Sequence, residues 1–155
     1  MDTRALLQHG FRYALSLTHD RADAEDLLQE AWARLLKAEG PRKKSYLFRI
    51  IRNAWVDRIR RDNVVQFVAT DEPERFEQLD DSELAAVNRD LLAQALAVLR
   101  PEEREALYLN AVEGYSAAEI GELCDRPRNT VLSLMHRARR KVLAAFAGPA
   151  EKEVL

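Results

Sequence analysis

Apolar side chains recur at three- and four-residue spacing along almost every long stretch of this chain, the period of helices packed on helices rather than of half-buried strands. Glycine and proline, five of each in 155 residues, are too scarce to interrupt that pattern often. Leu6, Leu7, Phe11, Ala14 and Leu15 form a first stripe, ending near Thr18-His19-Asp20. Leu27, Leu28, Ala31, Trp32, Leu35 and Leu36 form a second, introduced by Asp23-Ala24-Glu25-Asp26, whose acids complement a helix N-terminus, and stopped by Gly40-Pro41. After the basic loop Arg42-Lys43-Lys44-Ser45 comes a third: Leu47, Ile50, Ile51, Ala54 and Ile59.

The second half repeats the habit. Leu91, Leu92, Ala95, Leu96, Val98 and Leu99 make a helix that stops before Pro101, which opens the next helix at its first turn. Ala106, Leu107, Leu109, Ala111 and Val112 continue it to Gly114. Ser116-Ala117-Ala118-Glu119 is a capping-box pattern. Cys124-Asp125-Arg126-Pro127 supplies a turn, and Arg128 to Phe146 a final helix. Between the halves the pattern weakens and acids gather around Pro73, as in a linker with little drive to pack. The expected fold is all-α: two small helical domains, 1–62 and 84–147, joined by a flexible acidic linker over 63–83, with a frayed tail at 148–155.

Charge is unevenly spread. The formal total is only −2. Arg42, Lys43, Lys44, Arg49, Arg52, Arg58, Arg60 and Arg61 face Asp57 alone, and Arg126, Arg128, Arg137, Arg139, Arg140 and Lys141 face no acid within their block. The linker is correspondingly acidic. Two cationic surfaces separated by an anionic stretch suit one nucleic acid gripped twice.

Catalysis finds little support. His9, His19 and His136 are scattered, no glycine loop cradles phosphate, and no metal-ligand or nucleophile set is present. The single cysteine, Cys124, allows no intrachain disulfide and reads as a buried structural thiol. With no leader-like start and no apolar run of membrane-spanning length, the expectation is a cytoplasmic, non-enzymatic protein without cofactor or metal and without membrane insertion.

Three constellations carry chemistry. The capped helix, short turn and basic helix ending the second half follow the helix-turn-helix plan; a plain helical hairpin with a solvated cationic face is the bland alternative. On the DNA reading, Arg128, Asn129, Thr130 and Ser133 meet base edges while Arg137, Arg139, Arg140 and Lys141 hold phosphate. The block from Arg42 to Arg61 interleaves Tyr46, Phe48 and Trp55 with cations, which suits stacking on unpaired bases as well as it suits core; Trp55, beside the third stripe, leans to core. The acidic helix with Asp23, Glu25, Asp26 and Glu30 beside Gln29 and Trp32 suits either docking of a basic partner helix or a solvated face.

Together these segments resemble the extracytoplasmic-function (ECF) sigma factors, promoter-recognition subunits of bacterial RNA polymerase. The resemblance lies in Asp23-Ala24-Glu25-Asp26-Leu27-Leu28-Gln29-Glu30, in Tyr46-Leu47-Phe48-Arg49-Ile50-Ile51-Arg52-Asn53 with Asp57-Arg58-Ile59-Arg60-Arg61, and in Leu99-Arg100-Pro101-Glu102-Glu103-Arg104, Gly114-Tyr115-Ser116 and His136-Arg137-Ala138-Arg139. It implies a first domain of the sigma domain two type and a second of the sigma domain four type. Asp26, Gln29, Glu30 and Trp32 would bind the clamp coiled coil of core polymerase, with a further contact at its flap. Lys43, Lys44, Ser45, Tyr46, Arg49, Arg52, Asn53 and Arg60 would capture the −10 non-template strand. Arg128, Asn129, Thr130, Ser133, Arg137, Arg139 and Arg140 would engage the −35 element. The linker would thread towards the polymerase active-site channel, and an anti-sigma factor would hold the protein inactive.

The chain departs from the family pattern in places. Leu132 and Leu134 stand where basic residues are usual, which implies a weaker −35 grip or an apolar partner surface, and Asp125-Arg126 replace a glycine and an apolar residue in the turn. Asp tolerates the left-handed conformation that glycine usually supplies. Two other readings remain: a sigma mimic that titrates an anti-sigma factor, and an ordinary helix-turn-helix repressor, which accounts for the second half alone.

Overall fold

The computed structural model describes residues 1–62 and 89–152. Its described elements are helices: α1 (Thr3–Thr18), α2 (Arg21–Lys37), α3 (Lys44–Asp62), α4 (Arg89–Ala97), α5 (Pro101–Ala111), α6 (Ala117–Cys124) and α7 (Arg128–Lys152). The expected linker over 63–83 lies outside the described residues.

Local chemistry sets each boundary. Asp2 caps α1 by accepting the Ala5 N–H at 2.7 Å. His19 closes it in the left-handed conformation, φ 50°, returning its own N–H to the Leu15 carbonyl. Asp20 then caps α2, accepting from Asp23 N–H at 2.9 Å, so α2 opens two residues before the acidic run. A side-chain acceptor at this position satisfies a backbone donor that the helix itself cannot. Pro101 sits in the first turn of α5, where its missing N–H costs nothing. Ser116 and Glu119 complete the reciprocal capping box of α6 at 3.1 and 3.0 Å. The final helix continues past Phe146, which packs on the core, to Lys152.

In the first half α1, α2 and α3 pack mutually; in the second, α7 lies against α4, α5 and α6. Gly10 permits the close crossing of α1, since a Cβ there would stand 2.9 Å from the Leu28 side chain and 3.0 Å from that of Leu47. The two halves also pack on each other, α1 against α5 and α3 against α6. One core therefore runs through both. Leu6, Tyr13, Leu17, Leu27, Leu47, Phe48 and Ile51 belong to the same buried cluster as Ala106, Leu109, Ile120, Val131 and Leu134. A satellite cluster of Ala95, Leu99, Leu107, Ala138 and Val142 lies beneath α4 and α7.

α5 is enclosed between α1 and α7, and its charged Glu103, Arg104 and Glu105 are buried with its apolar residues. Each finds a partner: Glu103 accepts Lys141 Nζ at 2.7 Å, Glu105 accepts from Tyr13 and Arg52, and Arg104 donates to carbonyls. Buried charge persists only where such bonds offset desolvation.

Candidate nucleic-acid interface

α3 carries the first candidate surface. Arg49, Asn53 and Arg60, at helical spacings of four and seven, lie exposed along one side, with Lys43 and Ser45 exposed at its start. Tyr46 is half-buried over Gly40, where a Cβ would strike its ring at 2.3 Å. Phe48 and Trp55 are core: Phe48 is fully buried, stacks on Tyr13 with ring centroids 4.5 Å apart and meets the edge of Tyr115 at 6.4 Å. Neither presents a face to an unpaired base.

Two cations of the expected −10 set are held by the second half. Arg52, its side chain 12% exposed, donates through Nε to Glu105 Oε2 at 3.0 Å. The Tyr13 hydroxyl donates to the same oxygen at 2.5 Å. Burial opposes the Arg52 charge, but Glu105 together with Cys124 and Tyr13 outweighs it and raises the guanidinium pKa above its ordinary value. Burial and then Glu105 push Tyr13 well up, keeping it a neutral donor. Lys44 Nζ reaches Glu113 Oε1 at 2.9 Å and lies 5.3 Å from the Tyr115 ring centre. Arg49 makes a longer contact to the Glu122 carbonyl, 3.4 Å.

The helix-turn-helix forms as α6, a turn and α7. Asp125 takes the left-handed conformation, φ 56°, and ends α6 by donating its N–H to the Gly121 carbonyl. The chain turns so tightly that a Cβ on Gly121 would sit 2.6 Å from the Arg126 carbonyl oxygen. Arg128 and Asn129 are exposed at the start of α7, Thr130 and Ser133 are half-buried behind them, and Arg140 is exposed further along. Arg137 and Arg139 are half-buried, Arg139 Nη2 donating to Asn110 Oδ1 at 2.7 Å. Leu134 is 6% exposed and belongs to the shared core, and Leu132 packs on that core. The two leucines, which stand where basic residues are usual in the family, thus pack on this core.

On α2, Asp26 and Gln29 are exposed. Glu30 is turned to α3, accepting Arg34 Nη2 at 3.0 Å and both Nε and Nη2 of Arg58 at 3.2 Å. Trp32 is half-buried, with the Arg42 guanidinium 5.8 Å from its ring centre.

The arrangement is one for binding: a cationic helix face, a helix-turn-helix and an acidic helix on one core. The sigma-70 region 2 family model matches residues 4–64, and the sigma-70 region 4 model matches residues 89–142. The ECF RNA polymerase sigma factor SigL of Mycobacterium tuberculosis is 35% identical over 138 residues, covering 84% of this chain and 78% of that protein. The chain belongs to the ECF sigma factors.

Further relatives agree. SigM of Bacillus subtilis, also an ECF RNA polymerase sigma factor, is 27% identical over 142 residues, 88% of this chain and 87% of its own. Among solved structures, the ECF sigma factor SigJ of Mycobacterium tuberculosis matches with TM-score 0.58 and 31% identity over 97% of this chain and 54% of that one. The sigma factor RpoE of Bartonella quintana, solved with the anti-sigma factor NepR, shares the fold at TM-score 0.68 and 23% identity, with 94% of each chain covered. As a sigma factor the chain directs core RNA polymerase to promoters and initiates transcription, and its relatives are transcription regulators rather than enzymes. No helix among the described residues is long and apolar enough to cross a membrane.

Four residues central to this sigma factor's interior carried no sequence signal of their role: Tyr13, Arg104, Glu105 and Glu113. Their partners lie far along the chain, Tyr13 and Glu105 by 92 residues. A trace was available: four successive charged positions, Glu102 to Glu105, sweep about 300° of a helix at 100° per residue, so one of them must face inward.

Proposed function

We propose that this sigma factor divides its work between a unit at 1–62 that docks polymerase and opens the −10 element, a linker at 63–83, and a unit at 84–147 that reads the −35 element, with 148–155 as a tail. Asp26, Gln29, Glu30 and Trp32 contact the polymerase clamp coiled coil, and the second unit contacts the flap. Lys43, Lys44, Ser45, Tyr46, Arg49, Arg52, Asn53 and Arg60 hold the displaced −10 strand. Arg128, Asn129, Thr130 and Ser133 meet −35 bases, while Arg137, Arg139 and Arg140 serve the DNA backbone. The supporting observation is the exposed row of Arg49, Asn53 and Arg60 on α3, continuous with Lys43 and Ser45.

Opening duplex DNA costs a few kcal/mol per unstacked step, and captured bases must return it through stacking and phosphate contacts. The chain supplies binding energy and specificity and makes no bond itself; core polymerase performs nucleotidyl transfer in the cytoplasm. An anti-sigma factor is the expected regulator, a reading in keeping with the Bartonella quintana sigma factor solved with one. The titrating-mimic reading loses its main ground, because Leu132 and Leu134 face the core.

The test is fluorescence of a base analogue in candidate −10 elements with purified core polymerase. Opening that needs both proteins and disappears on Arg49→Ala with Asn53→Ala supports the assignment. Opening unaffected by those changes removes the −10 role of α3; no opening on any promoter, with core binding also absent, returns weight to the mimic.

A further inference from the structure

Where α1, α4, α5 and α7 converge, a cavity of about 370 Å³ opens to solvent, near the lower end of the about 300–1,000 Å³ that small-molecule sites occupy. Its body is apolar: Leu107 and Val142 are its buried floor, Leu15 and Leu96 its half-buried walls, and Val112, 60% exposed, stands at its mouth. The charged groups around this space are cationic. Arg12, Ser16 and His19 follow at spacings of four and three along α1 and so share one face of it. Arg12 is exposed, with no hydrogen bond or ion pair among the described residues. Arg104 gives its hydrogen bonds to carbonyls, so no carboxylate among the described residues meets its charge at contact distance. Burial and then Arg104 lower the His19 pKa, the mark of a positive field. No aspartate or glutamate is among the described residues that line the cavity. The acids nearest in sequence are engaged elsewhere: Glu113 by Tyr108, His9 and Lys44, and Glu102 by Arg100 at 3.1 Å.

We propose that this cavity binds a small amphipathic carboxylate, a free straight-chain fatty acid of medium length, with its hydrocarbon tail on Leu15, Leu96, Leu107 and Val142 and its head group at Arg12. The lining asks for both ends. A hydrocarbon chain displaces water from apolar surface that no described side chain covers. The Arg12 guanidinium offers parallel donors to both oxygens of a carboxylate, a match in shape as well as in charge. A neutral alcohol of the same length satisfies the tail alone, and an amine meets two guanidinium groups of its own sign. Because the tail touches α1 on one side and α4, α5 and α7 on the other, occupancy stabilises the folded chain by mass action. The site thus couples the concentration of a free carboxylate to the stability of this sigma factor.

The test is isothermal titration calorimetry of the full chain against decanoate, decanol and decylammonium, each below its micellar concentration. Decanoate is expected to bind saturably, one per chain and about tenfold tighter than decanol, with decylammonium weaker still. Each methylene removed from the acid should weaken binding about fourfold. Arg12→Ala should weaken decanoate about tenfold and leave decanol unchanged, a loss confined to the head group that a packing defect would not produce. Val112→Glu, at an exposed position, sets a like charge at the mouth and should abolish decanoate binding while circular dichroism stays helical. In a nuclear magnetic resonance titration, bound decanoate should raise the His19 pKa. Equal affinity for the three head groups, or uptake that never saturates, overturns the proposal and leaves only an apolar patch. Decanoate binding undiminished by both substitutions, or an unmoved His19, puts the ligand elsewhere and overturns it as well. Should Val112→Glu fail to fold, Arg12→Ala and the head-group series on the unaltered chain decide.

Discussion

Arg52 on α3 and Glu105 on α5, 53 residues apart in the chain, meet at 3.0 Å in the seam between the two halves. A residue assigned to a DNA strand thus has its counter-charge inside the same molecule. This coupling gives the two arginines of α3 different mutational signatures.

Arg52→Ala leaves Glu105 buried without its cationic partner, and is expected to cost about 3 kcal/mol of folding stability as well as promoter opening. Arg49→Ala, at an exposed position, is expected to cost less than about 0.5 kcal/mol while still impairing opening. Urea unfolding beside base-analogue fluorescence separates the two; equal stability losses would contradict the buried pair.

Stability should fall in acid through Glu113. Burial works against its charge, yet hydrogen bonds from Tyr108, His9 and Lys44 outweigh this and hold its pKa below the ordinary carboxylate value. A carboxyl depressed on folding contributes stability that is fully present above its unfolded pKa and lost as pH falls through the folded value. Glu113→Gln should therefore flatten the acid limb of a stability-versus-pH curve below about pH 4.5; an unchanged limb would remove Glu113 from the account.

Leu134→Ala is expected to cost about 2–5 kcal/mol, the range for a buried leucine truncated in a core, with little change in the DNA affinity of the folded protein. Altered −35 binding at unchanged stability would return this residue to the DNA surface.

Asp125→Gly should be neutral or slightly stabilising, and Asp125→Ala should cost about 1 kcal/mol, because the left-handed conformation burdens a Cβ and not a hydrogen. Thermal unfolding of the pair is the check; an alanine variant as stable as the glycine variant would show that the turn relaxes.

Asp26→Lys and Glu30→Lys should behave differently although both lie on the acidic helix. Asp26 is exposed, so its reversal should weaken core-polymerase binding without unfolding the chain. Glu30 is bonded to Arg34 and Arg58, so reversal there should also loosen α2 from α3. Polymerase pull-down with circular dichroism distinguishes them, and undiminished binding of the Asp26 variant would remove the docking role.

Helices, corners and caps were legible because their causes are local. Stripes such as Leu27-Ala31-Leu35 announce a helix, Ser116 and Glu119 sit within one turn, and Asp125 reads as a turn residue by its own conformational tolerance. Exposed positions such as Arg49 and Asn53 were legible as the complement of the stripe beside them. What was not legible is long-range: nothing near Glu105 tells of Tyr13 or Arg52, and the burial of α5 on several sides depends on α1 and α7 arriving from distant parts of the chain. The direction of the leucines of α7 is long-range too. Their inward direction follows from the core they meet, which spans both halves.

Arg104 shows how little of a buried cation's value here is its charge. It donates to four carbonyls, those of Ser16, Leu17, Leu96 and Leu99, and burial lowers its pKa rather than raising it. What the site uses is a flat fork with donors at fixed angles. A lysine would keep the charge and lose the shape, so the substitution usually scored as mildest is the one this position has least means to accommodate.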